Sequence, residues 1–573
     1  MRSRSPKFTA TWILAVAAAI AAAPYGARAL ASGAGQAGTP RAMSAESRSA
    51  TAQAADPGPG ITAGSFGTPQ TYPGAGGGDT WFNTWADDGD IYATSDDTSG
   101  FSGKCSGNFV VNELTGNDPS QLASPYTNCM TSYGRPGSQG NYNDGRTWKT
   151  DGVISVVGTL YVVVARQVDG YGGYPVGYQS STDASIIKST DHGRTWSNGF
   201  GTANDPGGAA PPPSPSGKGA KAMFPGSSFG TPVFINYGQD DNAAGTADGG
   251  DRYVYAISND GWAYDGNYEM LGRVPRSKIG DLNAADWQFY SGTPGGDGTN
   301  SDNWSSDVRK AAHILTAPHQ LEQGGVQYLA GLHRYVLTTG YYPFNSQWPS
   351  FGQASQSTWT IYQAPHPWGP WTRFFSEPTT ECYIGCSAAT ASTLGLYDPV
   401  PVSKFVNMGG LSDVVVGSGD YTASARPDDV LYRLHAFPLT LTTASSQVTD
   451  DMAMPCRYSG SGWSAGYGTG GYYGDTLHGN PNPGASATCT FDSSSIAWVG
   501  ARNNNHGYAS VSIDGGPATT VDTYAPQWIK QQVLFAKGGL ASGRHTITIT
   551  VTPQHDGASA GTWQDMDAFI TGR

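Results

Sequence analysis

Charge is scarce in this chain. Only 13% of its 573 residues are Asp, Glu, Lys or Arg, the 32 Lys and Arg form no long run, and the net charge is −13. Nucleic acid and anionic membrane surfaces call for a basic stripe, so neither is expected as a partner; a neutral polymer meets no such penalty. Helical periodicity is almost missing between residues 62 and 443, which argues against a helical protein. Beyond the N-terminus no apolar run is long enough to span a bilayer, so no membrane insertion is expected. Cysteine is limited to six residues. Cys382 and Cys386 form a C-x-x-x-C but lack a second Cys/His pair at ligand spacing, so no metal or other cofactor is expected. What the chain does have is glycine (79), tyrosine (31) and tryptophan (16). That composition suits an all-β protein with many turns, and the length exceeds one ordinary core, so two or more domains are expected.

The N-terminus reads as an export signal over residues 1–29. Arg2, Arg4 and Lys7 precede the apolar run Trp12–Ala23, and Ala27-Arg28-Ala29 gives an A-x-A cleavage site. Residues 30–61 are small and polar, the composition of a disordered lead-in. The mature protein is therefore expected to be secreted and monomeric. Six cysteines in an exported chain suggest disulfides, and local proximity favours Cys105–Cys129, Cys382–Cys386 and Cys456–Cys489.

Residues 62–443 read as repeated β-units. Ser189–Trp196, STDHGRTW, is an Asp-box, a folded turn on the outside of a propeller blade, and NDGRTW ending at Trp148 is a degenerate copy one unit earlier. Units recur at Asp79–Leu114, Trp148–Trp196, Gly230–Tyr290, Leu329–Phe375 and Asp413–Phe437, which predicts five blades. A composition shift over residues 444–453 predicts a linker to a second unit at 454–573. There HGYASVSIDGG and GRHTITITV alternate as half-buried strands. With SIAWVGAR and WQDMDAFI this segment resembles the galactose-binding-like jelly-roll modules appended to secreted glycosidases, in which Tyr472, Tyr473, Trp528 and Trp563 are possible platforms. The predicted fold class is all-β: a five-bladed β-propeller followed by a jelly-roll β-sandwich.

The chemistry is sought in Gly78–Thr98, GDTWFNTWADDGDIYATSDDT. Aromatic and β-branched flanks about Asp88-Gly89 predict a hairpin, whose fold returns Asp79 to the Asp96-Asp97 pair. Paired carboxylates at a strand end are what a glycosidase needs, one to protonate the leaving oxygen and one to attack or to activate water. Register about the turn puts Asp96 on the face of Asp79, and a one-residue bulge would put Asp97 there instead. Asp151, opening the apolar strand of the second unit, is a third acidic candidate, placed to raise a neighbour's pKa by like-charge repulsion. Trp81, Trp304 and Trp359, with Trp348 and Trp368, offer sugar-stacking faces, and Asp96 is a substrate-binding candidate. Glu269 is read as meeting Arg273 or Arg276. His313, His319 and His333 with Arg309 suggest a rival, a polysaccharide lyase; a glycan-binding propeller without catalysis is the non-enzymatic rival.

SFGTPVFINYG (228–238), DRYVYAIS (251–258), YEMLGRVPRSKI (268–279), LHRYVLTTGYY (332–342) and IYQAPHPWGPWT (361–372) occur in order. Together they resemble a family of secreted bacterial β-propellers that includes endo-D-arabinanases. The resemblance covers 62–443. It implies a glycoside hydrolase acting on a furanosidic polysaccharide, with two catalytic aspartates in the first blade. The first maps to Asp79. The second lies in a G-D-T motif that here reads Ser95-Asp96-Asp97-Thr98, which favours Asp97 but leaves Asp96 open.

Overall fold

The structure, a computed structural model, describes residues 60–572 apart from internal segments, the longest being 199–221, 342–356, 380–395 and 420–431. The expected signal peptide, most of the lead-in, Trp348, Cys382, Cys386 and residues 141–146 of the degenerate Asp-box lie outside the described residues.

The N-terminal strands β1 (Ile61–Phe66) and β2 (Gln70–Thr71) are followed by four antiparallel strands, β3 (Asn83–Trp85), β4 (Ile91–Thr98), β5 (Gly107–Thr115) and β6 (Ala123–Asn128), which form the first blade. The second is β7 (Thr147–Val156), β8 (Thr159–Asp169), β9 (Gln179–Ser189) and β10 (Ser197–Asn198). The third consists of β11 (Val233–Asn236), β12 (Tyr253–Asn259), β13 (Gly266–Pro275) and β14 (Gln288–Tyr290), with β15 (Trp304–Ser305) and β16 (Leu315–Leu321) added at its edges. β17 (Gly325–Leu329), β18 (Arg334–Tyr341), β19 (Ser357–Ala364) and β20 (Thr372–Thr379) make the fourth. The fifth combines β21 (Leu396–Pro401), β22 (Ser412–Gly419) and β23 (His435–Thr443) with β1, which pairs antiparallel to β23 from Phe66↔Leu439 to Ile61↔Thr443. The first described strand thus completes the last blade and closes the ring. This is the five-bladed β-propeller the sequence predicts.

Local sequence explains these hairpins. GVISVVGTLYVVVAR folds about Val157 and Gly158, both at positive φ (52° and 69°), the conformation of a two-residue hairpin turn that matches strand twist. In the first blade Ala86 N–H bonds to Asp90 O at 2.9 Å and Gly89 sits at φ 90°, a three-residue turn with glycine at its left-handed position. The Asp-box behaves as a structural turn. Asp191 accepts from Ser189 Oγ (2.7 Å), Thr195 N (2.8 Å) and Thr195 Oγ1 (2.6 Å), while Trp196 is fully buried. The disulfides Cys105–Cys129 and Cys456–Cys489 are present as expected.

Residues after 446 form a β-sandwich. Gln447–Asp450, inside the segment expected to be a linker, is itself a strand, paired with Ala568–Thr571 in a four-stranded sheet with Ile496–Arg502 and Ile529–Lys537. A five-stranded sheet, built on Ser486–Asp492 and Arg544–Val551, faces a shared core that includes Trp498, Ile547 and Phe569. The sandwich also packs on the propeller: Ala497, Val499, Ala568 and Ile570 join Trp359, Phe437, Leu439 and Leu441 in one apolar cluster, and Arg502 is ion-paired with Asp118. Ending the chain after Thr443 is expected to leave the five blades folded and active on short oligosaccharides. The uncovered cluster should lower the melting temperature and cause concentration-dependent association. Calorimetry and light scattering of the truncated chain test this, and a truncated propeller without cooperative unfolding overturns it.

Candidate active site

Four blades place a carboxylate at the start of the inner strand. Asp79 precedes β3, Asp151 lies in the first half of β7, Glu322 precedes β17, and Asp398 lies near the start of β21. Inner strands run alongside the propeller axis, so these starts converge at one face. Asp96 and Asp97, at the end of β4, belong to the same face because β4 runs antiparallel to β3.

Backbone pairing sets Asp96 directly opposite Asp79: Asp79 N–H bonds to Asp96 O at 3.1 Å, and Asp96 N–H to Asp79 O at 2.9 Å. Register between the two strands shifts by one residue above Asn83↔Ala93, across Thr80 at φ 49°. The side chains then part. Asp96 is buried, and its carboxylate accepts from Thr150 N (3.2 and 3.3 Å) and Thr150 Oγ1 (3.0 Å) of the second blade. It is a strut between blades, not a group open to substrate. Asp97 lies at φ 40°, a conformation costly for a residue with a Cβ, and its Oδ2 pairs with Lys149 Nζ at 2.5 Å. Its side chain is 33% exposed against 8% for Lys149, although Asp97 Oδ1 is itself buried and has no hydrogen-bond partner among the described residues.

Asp79 is half-buried and accepts from Tyr432 Oη at 2.9 Å, with Thr80 Oγ1 at 3.4 Å from its other oxygen. Burial raises its pKa from the ordinary carboxyl value to about 7. Lys149 and the two hydroxyls oppose that rise, and the charge of Asp97 adds to it. Asp96 is likewise held well above the usual range by burial, against the pull of Lys149. Lys149 itself is raised: the three surrounding aspartates, Asp97 first, outweigh the cost of burying its charge.

Asp151 is fully buried, accepts from Gln323 Nε2 of the fourth blade, and is pushed well above the carboxyl range by desolvation. It ties blades across the axis. Its charge bears on Asp398, whereas the charges acting on Asp79 are those of Lys149 and Asp97, so the expected like-charge effect falls on a different neighbour. Sequence reasoning missed Glu322 and Asp398. Both are almost wholly buried, both are raised well above their usual range by burial, and the charge of Asp79 raises each further. Among the described residues Oδ1 of Asp398 has no hydrogen-bond partner. A Cβ on Gly340 would collide with Glu322 Oε2, so that glycine leaves the room the carboxyl occupies.

The tryptophan expectations need correction. Trp81 (fully buried), Trp304 and Trp359 bond through Nε1 to the carbonyls of Gly78 (2.9 Å), Gly298 (2.8 Å) and Leu396 (3.2 Å). Trp304 is further covered by the Arg273 guanidinium at 3.7 Å, and Trp368 is buried too. These rings are core, with no face presented to a sugar. Glu269 does not meet an arginine: Arg273 bonds to Gln288 (3.0 Å) and Arg276 pairs with Asp241. Of the four residues behind the lyase alternative, His319 lies beside Asn267, to whose Oδ1 its backbone N–H donates at 3.3 Å. His313 stacks on Tyr268 (3.6 Å), His333 lies in the β17–β18 turn at the opposite end from Glu322, and Arg309 pairs with Asp307 at 2.9 Å. Among the described residues one grouping has metal-ligand spacing, Asp87, Asp88 and His192, and it too lies at the far end of the first hairpin.

No protein-family profile matches the chain. An 88-residue stretch, 15% of the chain, is 41% identical to the A type blood N-acetyl-α-D-galactosamine deacetylase of Flavonifractor plautii; it spans 11% of that protein. Among solved structures, an exo-β-1,3-galactanase from Phanerochaete chrysosporium is 13% identical at a TM-score of 0.31, covering 88% of this chain and 99% of that one. The α-L-arabinofuranosidase of Podospora anserina is 11% identical at a TM-score of 0.35, covering 67% and 99%. A carbohydrate-binding module of family 35 from Cellvibrio japonicus is 17% identical at 0.17, covering 22% and 91%. At these scores the likenesses carry no argument about chemistry, and the fold rests on the strand pairing above.

Proposed function

We propose that this chain is a secreted glycoside hydrolase that cleaves a furanosidic polysaccharide, with D-arabinan as the first substrate to test. The observation that carries the reading is the pairing of a carboxyl that keeps its proton near neutrality, Asp79, with a carboxylate held by a lysine, Asp97. Glycosidic cleavage needs those two states together. Asp79 protonates the leaving oxygen, and Asp97 attacks the anomeric carbon or takes a proton from water. Tyr432 orients Asp79, and Lys149 pairs with Asp97. The substrate class rests on the ordered motifs shared with the endo-D-arabinanase family.

Digestion of a glycan panel with product analysis tests this. Release of saccharides with saturated ends supports it. Unsaturated ends would indicate a lyase, and retention without cleavage a lectin; either result overturns it.

The pH dependence follows from Asp79. An acid with a pKa of about 7 is active while protonated, so kcat/KM should hold below that pH and fall about tenfold per unit above it. The same shift affects stability. The folded state keeps this proton after the unfolded chain has released it, so stability declines as pH rises from about 3.8 to about 7. A pH–rate profile whose alkaline limb lay near 5 would remove Asp79 from the acid role.

A further inference from the structure

Asp398 is a buried carboxyl that the proposed chemistry leaves unused. It is 2% exposed, and its backbone stands at φ 54°, where a residue with a Cβ is strained. The pairing of β21 with β22 slips between Tyr397 and Val400, so Asp398 and Pro399 form a bulge. Bulges re-aim a side chain, and this one is pinned from the fourth blade. Thr338 Oγ1 donates to Pro399 O at 2.5 Å, and Trp359 Nε1 to Leu396 O at 3.2 Å.

The bulge faces the hairpin that carries Asp79. The inner strands β3 and β21 are neighbours where the ring closes, tied by Asn83 Nδ2 donating to Pro401 O at 3.3 Å. Thr80 precedes Asn83 by three residues, as Asp398 precedes Pro401, which sets Asp398 level with Thr80. The Thr80 N–H lies against the Asp398 carboxyl, and after burial the largest influence on that carboxyl is the charge of Asp79. Thr80 is itself at φ 49°, the distortion that shifts the first hairpin by one residue and sets Asp79 opposite Asp96. Strain held on both sides of one contact, beside the reacting groups, is the mark of a functional contact. Tyr432, also from the fifth blade, donates to the Asp79 carboxyl at 2.9 Å. That blade therefore grips Asp79 twice, at its carboxyl and at the peptide that follows it.

We propose that Asp398 is a positioning residue for the acid: by holding the Thr80 peptide in its left-handed conformation, it aims the Asp79 carboxyl at the leaving oxygen. The word acid rests on the hydrolase reading; the hold on Thr80 does not. Asp398 is too buried to touch substrate, so it acts through Asp79. Burial keeps its carboxyl well above the usual range, so what it supplies to Thr80 is an acceptor oxygen, not a charge.

The test compares Asp398→Gly with Asp398→Asn in the full chain. Glycine takes a positive φ without strain, so it removes the carboxyl and spares the backbone of the bulge. Asparagine keeps an oxygen for the Thr80 N–H. On arabinan, Asp398→Gly should lower kcat about 100-fold with KM nearly unchanged, the cost of an acid misplaced by about 1 Å. On an arabino-oligosaccharide with a nitrophenolate leaving group, which departs without a proton, the same variant should lose little. Asp398→Asn should stay near wild type on both substrates. Added to Asp79→Asn, Asp398→Gly should lower kcat no further, because both act on one step through one group. Equal losses on the two substrates, an inactive Asp398→Asn, or additive losses in the double variant overturn the proposal. If Asp398→Gly does not fold, near-wild-type turnover in Asp398→Asn supports the acceptor role and its loss overturns it. Crystal structures of the variants read the contact without activity. In Asp398→Gly, Thr80 should leave positive φ and the bond from Tyr432 to Asp79 should break; in Asp398→Asn both should remain. An unmoved Thr80 in Asp398→Gly overturns the positioning role. If the wild type cleaves no glycan, the hydrolase reading fails, and this structural comparison alone decides the hold on Thr80.

Discussion

Asp79→Asn and Asp97→Asn are each expected to lower kcat on a cleavable arabinan by two to four orders of magnitude with glycan binding nearly intact; folding is nearly intact in Asp79→Asn, whereas Asp97→Asn leaves the buried Lys149 without its ion-pair partner and lowers the melting temperature. Asparagine keeps the shape of the side chain and can still accept from Tyr432, but it can neither give a proton to the leaving oxygen nor act as base or nucleophile. If Asp97 forms a covalent bond to the sugar, its loss is the larger of the two. Asp96→Asn separates the two candidates for the second carboxylate. Asp96 is buried against Thr150, so its replacement should disturb the joint between the first two blades and lower the melting temperature more than it lowers turnover per folded molecule. Asp88→Asn, in the exposed turn at the far end of the hairpin, is the control and should change little. Near-wild-type rates in both Asp79→Asn and Asp97→Asn, on a substrate the wild type cleaves, would show that the hairpin is not the active site.

Lys149→Met carries the second large effect. Lys149 is the cation whose charge offsets Asp79 and Asp96, and it pairs with Asp97. Removing it leaves a group of carboxyls that can no longer all stay charged. Truncating one partner of a buried ion pair costs about 3–5 kcal/mol, and the partial exposure of Asp97 places the expected loss toward the lower end. The loss should grow as pH rises, because protonation of the acids relieves it at low pH. Without the lysine the pKa of Asp79 moves above about 7, so the alkaline limb of whatever activity remains shifts upward. Urea unfolding at two pH values and a pH–rate profile check both parts. Equal stability of variant and wild type at high pH would remove Lys149 from this role.

The hairpin that brings Asp79 to Asp96-Asp97 was legible because Asp-Gly between aromatic and β-branched flanks dictates a turn. The choice between the two aspartates was not, because it hangs on backbone at Thr80 (φ 49°) and Asp97 (φ 40°), where no glycine marks the distortion. Blade number followed from the recurrence of apolar strands and from the Asp-box. The tryptophans misled for a physical reason: in a radial β-fold the wedge between blades is filled by large rings, and an indole N–H bonded to a carbonyl looks no different in sequence from one facing a sugar. Glu322 and Asp398 carry no motif of their own. Their signal is positional: DGVISV, EQGGVQYL and DPVPV each put an acid two to four residues ahead of the first valine of an inner strand. Only the alignment of blades in space makes that repetition visible.

The way the ring is fastened bears on how the protein is made. The clasp joins Ile61–Phe66 to Leu439–Thr443, and the Thr62 side chain reaches the Thr442 carbonyl across 380 residues of sequence. No shorter nascent chain can contain that contact, so β1 waits, its edge unpaired, until the last blade has emerged. Closure at such sequence separation is slow, and the waiting edge is open to strand exchange with a second molecule. Passage across a membrane in an unfolded state before the clasp engages would remove that hazard from the crowded side of the membrane and move it to the dilute one.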